Sequence, residues 1–144
     1  MVLIASLRRT RNDRMAGVFR VMLGVIFAMT GTMKLVVPRL ADAWSGQLLA
    51  AEIPLYTLSR WSVPFVEIIL GVALLVGFAS RVAALVAIGI MLVATYVHVV
   101  VDDPTLFPLQ PSEPVIPVIV TLMSLYVVWR GGGAWSVDFK TGTN

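Results

Sequence analysis

The sequence predicts an all-α membrane protein: a four-transmembrane-helix antiparallel bundle, with a short amphipathic outer-surface helix between spans 1 and 2. Three observations lead there. Of the 144 residues, 58% are hydrophobic and only 13% charged, with a mean hydropathy of +0.90, far from the balance of a soluble domain. Four apolar runs, at about 18–37, 61–79, 82–101 and 114–129, meet or approach the ~20 residues a helix needs to cross a bilayer. None shows the period-two alternation of a barrel strand, so the runs are helices. Residues 1–144 read as a single transmembrane domain.

The basic residues orient these elements. Arg8, Arg9, Arg11, Arg14 and Arg20 precede or open the first span, Arg81 lies between the second and third, and Arg130 and Lys140 follow the fourth. Lys34, Arg39 and Arg60 fall towards the other side, where the third connection carries Asp102, Asp103 and Glu113 without a basic residue. That is the positive-inside distribution. It predicts a multi-pass protein of a prokaryotic cytoplasmic (inner) membrane with both termini cytoplasmic. The net charge of +3 is then a topology signal; the expected surroundings are lipid bilayer and other membrane subunits, with no nucleic acid. Residues 1–7 form an apolar head too short to place. The first run exceeds the ~7–15 apolar residues of a secretory signal and is expected to stay as an uncleaved span.

Between the first two spans, Leu40, Ala43, Trp44, Leu48 and Ala51 recur at helical spacing, while Arg39, Asp42, Gln47 and Glu52 fall largely elsewhere. This is an amphipathic helix, with Trp44 at headgroup level, covering the end of the bundle. Pro54 is expected to open the second helix and Pro64 to kink it near Glu67. A tight turn at Ser80 and Arg81 makes spans two and three an antiparallel hairpin. The loop 102–114 holds Pro104, Pro108, Pro111 and Pro114 and should be stiff and irregular. Beyond Trp129, Gly131, Gly132 and Gly133 turn the chain into a short polar tail.

The chain has no cysteine. That excludes a disulfide framework, Cys-ligated iron–sulfur or zinc, and a thiol relay. One histidine excludes two-His haem ligation by this chain alone. No metal site and no resident cofactor are expected.

The chemistry rests on three ionisable residues inside apolar runs: Lys34, Glu67 and His98. Each costs ~2.5–3.5 kcal/mol on insertion scales and is a candidate functional residue by default. On the first span, Arg20, Gly24, Phe27, Gly31 and Lys34 share one stripe, and Gly17, Gly24 and Gly31 repeat every seven residues. Small residues mark close helix approach in membranes, so Lys34 should face the bundle. Glu67 shares a face with Gly71 and should do the same. At ~1.5 Å per residue, Lys34 and His98 lie about 5 Å from the outer boundary and Glu67 roughly 9 Å. All three are candidate ligand-binding residues. Lys34 and Glu67 can form an ion pair, and Glu67 and His98 are candidate proton-exchanging groups; no residue is assigned as catalytic. Structural readings stay open beside this one: Lys34 snorkelling outward, a register-fixing Lys34–Glu67 bridge, and His98 as an interhelical hydrogen-bonder. Phe27, Phe65 and Tyr96 are candidate lining. Arg20, at the far end of its stripe, reads as a topology or headgroup contact. Thr121 and Ser124 should bond back to their own helix.

At these residues the chain resembles the DoxX family, which includes DoxD-like subunits. The matching elements are Arg20-x-x-x-Gly24 leading to Gly31-x-x-Lys34-Leu35, then Glu67-x-x-x-Gly71 through Leu74-Leu75-x-Gly77. Ser80-Arg81, Ala83-Ala84-Leu85 and His98 follow, with Gly133-Ala134-Trp135-Ser136-Val137-Asp138 after the last span. The resemblance implies a four-helix membrane bundle associated with redox enzymes, because relatives accompany a terminal quinol oxidase or form part of a thiosulfate:quinone oxidoreductase.

Three functions compete. The first is a membrane subunit of a quinone-linked oxidoreductase, with quinone as ligand or substrate, Lys34 or His98 donating to a quinone carbonyl and Glu67 accepting or relaying protons. Electrons would come from a partner. The second is a noncatalytic accessory or assembly subunit packed against a larger membrane complex. The third is a small proton-coupled transporter.

Overall fold

The computed structural model describes residues 10–141, which are all-helical outside turns and loops. The apolar head at 1–7, with Arg8 and Arg9, lies outside the described residues. Helix α1 is Arg14–Val36, α2 Pro38–Ala50, α3 Tyr56–Val76, α4 Ser80–Val100, α5 Val115–Arg130 and α6 Val137–Thr141; a 3₁₀ turn, Pro104–Leu106, interrupts the proline-rich loop. Helices α1, α3 and α4 are long and apolar enough to cross a membrane. The chain is therefore a multi-pass membrane protein. Helix α5 has 16 residues, about 24 Å at 1.5 Å per residue, and falls short of the ~30 Å hydrocarbon core.

Local sequence sets each boundary. Asp13 caps α1, its carboxylate accepting from the Ala16 N–H at 3.1 Å. Pro38 ends α1, since the residue before a proline is driven to extended geometry; Val37 adopts it (φ −104°, ψ 106°). The same proline opens α2 at its first turn, where a missing N–H does no harm. Two expected boundaries move. Pro54 does not open the second helix but sits in the turn before it. Leu55 follows in the left-handed conformation (φ 55°), through which no right-handed helix continues. The second-to-third turn is Gly77, Phe78 and Ala79 rather than Ser80 and Arg81. Gly77 takes φ 77°, where a glycine pays no Cβ penalty, and Ser80 is already the first residue of α4.

The four long helices pack antiparallel in a ring, α1–α3–α4–α5. Helices α1 and α3 pack most extensively, followed by α4 and α5; the α3–α4 seam is the sparsest of the four. Glycines permit the closest seam. A Cβ at Gly31 would stand 2.6 Å from the Pro64 carbonyl, and one at Gly24 2.8 Å from the Leu75 nitrogen. The glycine stripe of the first span is thus occupied within the chain, Gly24 and Gly31 by α3 and Gly17 by Ala134 and Trp135.

Two apolar clusters result. The larger joins Leu23, Phe27, Leu70, Leu74, Ala84, Val120 and Val127 across all four helices. The smaller joins Ala51, Val97, Val101 and Phe107 where α2 and the proline-rich loop close one end.

The other end, where the described chain begins and finishes, is closed by a polar network. Arg20 is only 1% exposed. Its Nε donates to Gly132 O at 2.8 Å and its Nη1 to Leu75 O at 2.7 Å and to Leu74 O. Arg20 is therefore not the headgroup contact expected of it. Three backbone carbonyls from the α3 terminus and the glycine turn solvate it instead, because α1 sinks this position against both. Asp138 of α6 accepts from the N–H groups of Ala79 and Ser80 (2.9 and 2.7 Å) and from the Ser80 hydroxyl (2.8 Å), capping α4 from a distance in sequence. Arg130 Nε meets Asp13 at 2.6 Å, and the Tyr126 hydroxyl donates to the same carboxylate at 3.1 Å. The Arg130 hydrogen bond, helped by the Ala16 N–H, holds the Asp13 carboxyl below the usual carboxylate range.

Candidate functional site

Pro64 lies inside α3 and brings no N–H to the helix ladder, which frees the carbonyl four residues earlier, Arg60 O. The indole Nε1 of Trp44, from α2, donates to that carbonyl at 3.3 Å. The bond holds the Trp44 ring over Lys34, whose Nζ stands 4.3 Å from the ring centroid. From the other side Lys34 Nζ meets both oxygens of Glu67, at 2.7 and 2.9 Å. Glu67 is 1% exposed, whereas the Lys34 side chain retains 21%. A buried carboxylate needs a cation or protonation, and here α1 supplies the cation one turn from Gly31, within the close α1–α3 seam.

His98 sits on α4, and among the described residues no hydrogen bond joins it to Glu67. Its Nδ1 contacts Ala94 O at 2.7 Å. A carbonyl can only accept, so Nδ1 carries a proton and donates it to Ala94 O. The other ring nitrogen, Nε2, is buried without a hydrogen-bond partner among the described residues. The ring packs on Phe107, centroids 4.5 Å apart.

Lys34, Glu67 and His98 line one cavity of about 530 Å³, lying between the two apolar clusters. Its walls are mostly apolar and come from α1, α3, α4 and α5, among them Phe27, Val63, Met91 and Val120; Trp44, Gln47 and Leu48 of α2 form its cover. Both the volume and the apolar lining suit a small-molecule site. The cavity reaches the side of the bundle along the sparse α3–α4 seam. Ser59 and Val63 line it from α3, while Gly89 and Val93 line it from α4 and are exposed. A Cβ at Gly89 would meet nothing within 4 Å.

The structure thus joins Lys34 to Glu67 directly and sets His98 on another wall of the same cavity. Lys34 is drawn into a pair rather than released outward. Of the aromatic residues considered as lining, Phe27 serves, but Phe65 and Tyr96 are 54% and 50% exposed and point away. Thr95, three residues before His98, bonds back to Met91 O at 2.8 Å, and Thr121 and Ser124 bond back to Pro117 O and Val120 O as expected. Trp44 and Gln47 were legible only as a headgroup anchor and a polar position of the amphipathic helix, yet both roof the site. Gln47 Nε2 donates to Leu106 O at 2.5 Å, tying α2 to the 3₁₀ turn. The available signal was Pro64, which guarantees one unpaired carbonyl beside Glu67.

Among the described residues no three of His, Asp and Glu gather as a metal-binding group. A family model described as DoxX matches residues 16–100, a stretch that includes Lys34, Glu67 and His98. No curated protein and no solved structure gives a match.

Proposed function

The chain belongs to the DoxX family, and from that premise we propose that it is an integral membrane subunit of a quinone-linked redox complex. In this reading its cavity holds the polar head of a lipid-soluble quinone-class ligand. One observation carries the proposal: a buried ion pair, Lys34 with Glu67, and His98 line the same largely apolar cavity of about 530 Å³. Its lateral opening along α3 and α4 suits a ligand that travels in the bilayer. Glu67 and His98 are the groups able to take up or pass a proton, and Lys34 pairs with Glu67. Electrons come from a partner subunit.

All four long helices cross the membrane in this reading, with the proline-rich loop extending α5 to length. Arg11, Arg14, Arg81, Arg130 and Lys140 lie towards the end where the described chain starts and stops, which favours placing that end in the cytoplasm of a prokaryotic cell. The two other readings draw less support. The glycine stripe that suggested docking on a larger complex is filled within the chain, by α3 and by Ala134 and Trp135. For a transporter, the larger apolar cluster, whose Phe27 and Val120 line the cavity, stands between it and the Arg20 end.

The test is Glu67→Gln in the native membrane complex. Assembly should persist, judged by co-purification with the partner subunits, while quinone-dependent turnover falls at least tenfold. A variant that assembles and turns over normally removes the proposal and leaves the accessory-subunit reading.

A further inference from the structure

At the end of the bundle away from the cavity, two cations are held together without an anion. Arg11 and Arg81 stand within electrostatic reach of each other, and among the described residues neither forms an ion pair. The fold sets both positions. The chain before α1 is pinned to the end of α5 and to the glycine turn: Arg11 N donates to Arg130 O at 3.3 Å, Gly132 N to the Thr10 hydroxyl at 2.6 Å, and Ala134 N to Asp13 O at 3.0 Å. Arg81, in the first turn of α4, donates from Nη2 to Trp129 O at 3.3 Å. Its Nε is buried without a partner, which seats one edge of the guanidinium in the protein and offers nothing to a ligand. Of the Arg81 nitrogens only Nε is both buried and unpartnered, so Nη1, which makes no hydrogen bond among the described residues, reaches the surface. Arg11 is exposed. The carboxylates of this end are engaged elsewhere, Asp13 with Arg130 and Tyr126 and Asp138 with Ala79 and Ser80.

We propose that Arg11 and Arg81 form a binding site for a phosphate group, supplied by the headgroup of an anionic phospholipid. Like charges held close repel, and an anion placed between them relieves the repulsion. The guanidinium fork matches the oxygens of a phosphate. Trp129, 68% exposed, lies beside Arg81 through its carbonyl and carries the Arg130 guanidinium 5.1 Å from its ring centroid. Indole rings settle at headgroup level, and basic pockets between spanning helices take anionic headgroups. A free phosphate ion offers the same oxygens but has no chains to lie along the bundle. The flanks of α4 and α5 expose Val82, Leu85, Leu122 and Leu125, which favours a lipid as the source. The site is separate from the cavity and requires no quinone.

The experiment is native mass spectrometry of the full chain in an uncharged detergent with equal amounts of phosphatidylglycerol and phosphatidylcholine of matched chains. The unmodified protein should retain phosphatidylglycerol at least tenfold over phosphatidylcholine. Arg11→Gln and Arg81→Gln should each lower that ratio about fivefold, the worth of one surface arginine beside anionic lipid. Arg14→Gln, which removes an exposed charge from the same end, should leave the ratio within about twofold. Absence of a preference, or an equal fall in all three variants, overturns the proposal, because the basic residues then act only as diffuse charge. Arg11 lies outside every helix and its backbone bond to Arg130 survives the substitution, so the result does not depend on Arg81→Gln folding. A second arm adds millimolar inorganic phosphate to the protein in phosphatidylcholine nanodiscs. Phosphate should leave the melting temperature unchanged, whereas phosphatidylglycerol in the discs should raise it. An equal rise with phosphate, lost in Arg11→Gln, overturns the lipid as the source and assigns the site to the free ion.

Discussion

Lys34 and Glu67 are unequal partners, since one keeps a path to the polar surface and the other has none. Removing the cation strands a carboxylate that is 1% exposed, whereas removing the carboxylate leaves an ammonium still covered by an indole face. Breaking a buried pair from one side costs ~3–5 kcal/mol, and replacing both members by apolar groups can be neutral. Lys34→Met should therefore lower stability by about 3 kcal/mol, Glu67→Gln by less, and Lys34→Met with Glu67→Met should recover most of the loss. Unfolding curves in mild detergent check the order. Equal losses in both single variants, with no recovery in the double, would mean the pair is not the buried unit described here. Asp13 gives a second, pH-dependent signature. Its folded-state pKa lies below the ordinary value, mainly through Arg130, so its stabilising contribution is full above the carboxylate range. That contribution is lost as the pH falls below about 4. Acid titration of the melting temperature should show this decline in the parent chain, and Asp13→Asn should flatten it. At this scale the sequence was informative about cost and blind to partners. Intramembrane charge flagged Lys34, Glu67 and His98 because burial of charge is expensive wherever it occurs. It misjudged Arg20, whose three carbonyl partners come from positions more than fifty residues away and are created only by the fold.

At the scale of elements, glycines that look alike in the sequence have opposite meanings in the structure. Gly24 and Gly31 sit in the α1–α3 seam, where a Cβ would come within 2.8 Å of backbone atoms. Gly89 faces open space beside the cavity. Gly31→Leu should separate α1 from α3 and unseat the ion pair, with a loss of ~3 kcal/mol or more by overpacking. Gly89→Ala should be tolerated or gain up to ~1 kcal/mol from helix propensity, while the larger Gly89→Leu should keep the fold yet slow or block binding of a quinone-class ligand by filling the α3–α4 opening. Thermal melts and binding rates of the protein in nanodiscs separate these outcomes. If Gly89→Leu binds at the parent rate, the ligand does not enter along this seam. The apolar runs announced four helices, and periodicity announced α2, because both depend on local patterning. The turns did not follow from local rules as simply. Pro54 yielded to the left-handed Leu55, and the reversal at Gly77–Ala79 depends on Asp138, sixty residues on, to satisfy the first N–H groups of α4.

For the whole molecule, the arrangement divides the labour by depth. One end is locked by Arg20, Asp13 and Asp138 with their backbone partners, the middle by the larger apolar cluster, and the opposite end by α2 resting on Phe107 and Val97. The cavity lies where the two apolar clusters fail to meet. Asp138→Ala should then reduce stability by ~2 kcal/mol, through loss of the α4 cap and of buried hydrogen bonds, yet leave ligand affinity of the folded protein unchanged. Melting and binding measured together decide this; a parallel loss of affinity would couple the two ends. The division was not readable from the sequence, which placed three charges at one depth but could not reveal a void, because a void is a failure of packing among Phe27, Met91, Val120 and their neighbours. The central claim is that this void holds a lipid-soluble ligand. The most direct test is photo-crosslinking of a benzoquinol carrying a diazirine on its tail, followed by peptide mass spectrometry with unlabelled quinol as competitor. The account predicts competable adducts on cavity residues such as Phe27, Met91 and Val120. Adducts confined to outward-facing Met29, Leu92 and Leu122 and insensitive to competition would contradict it.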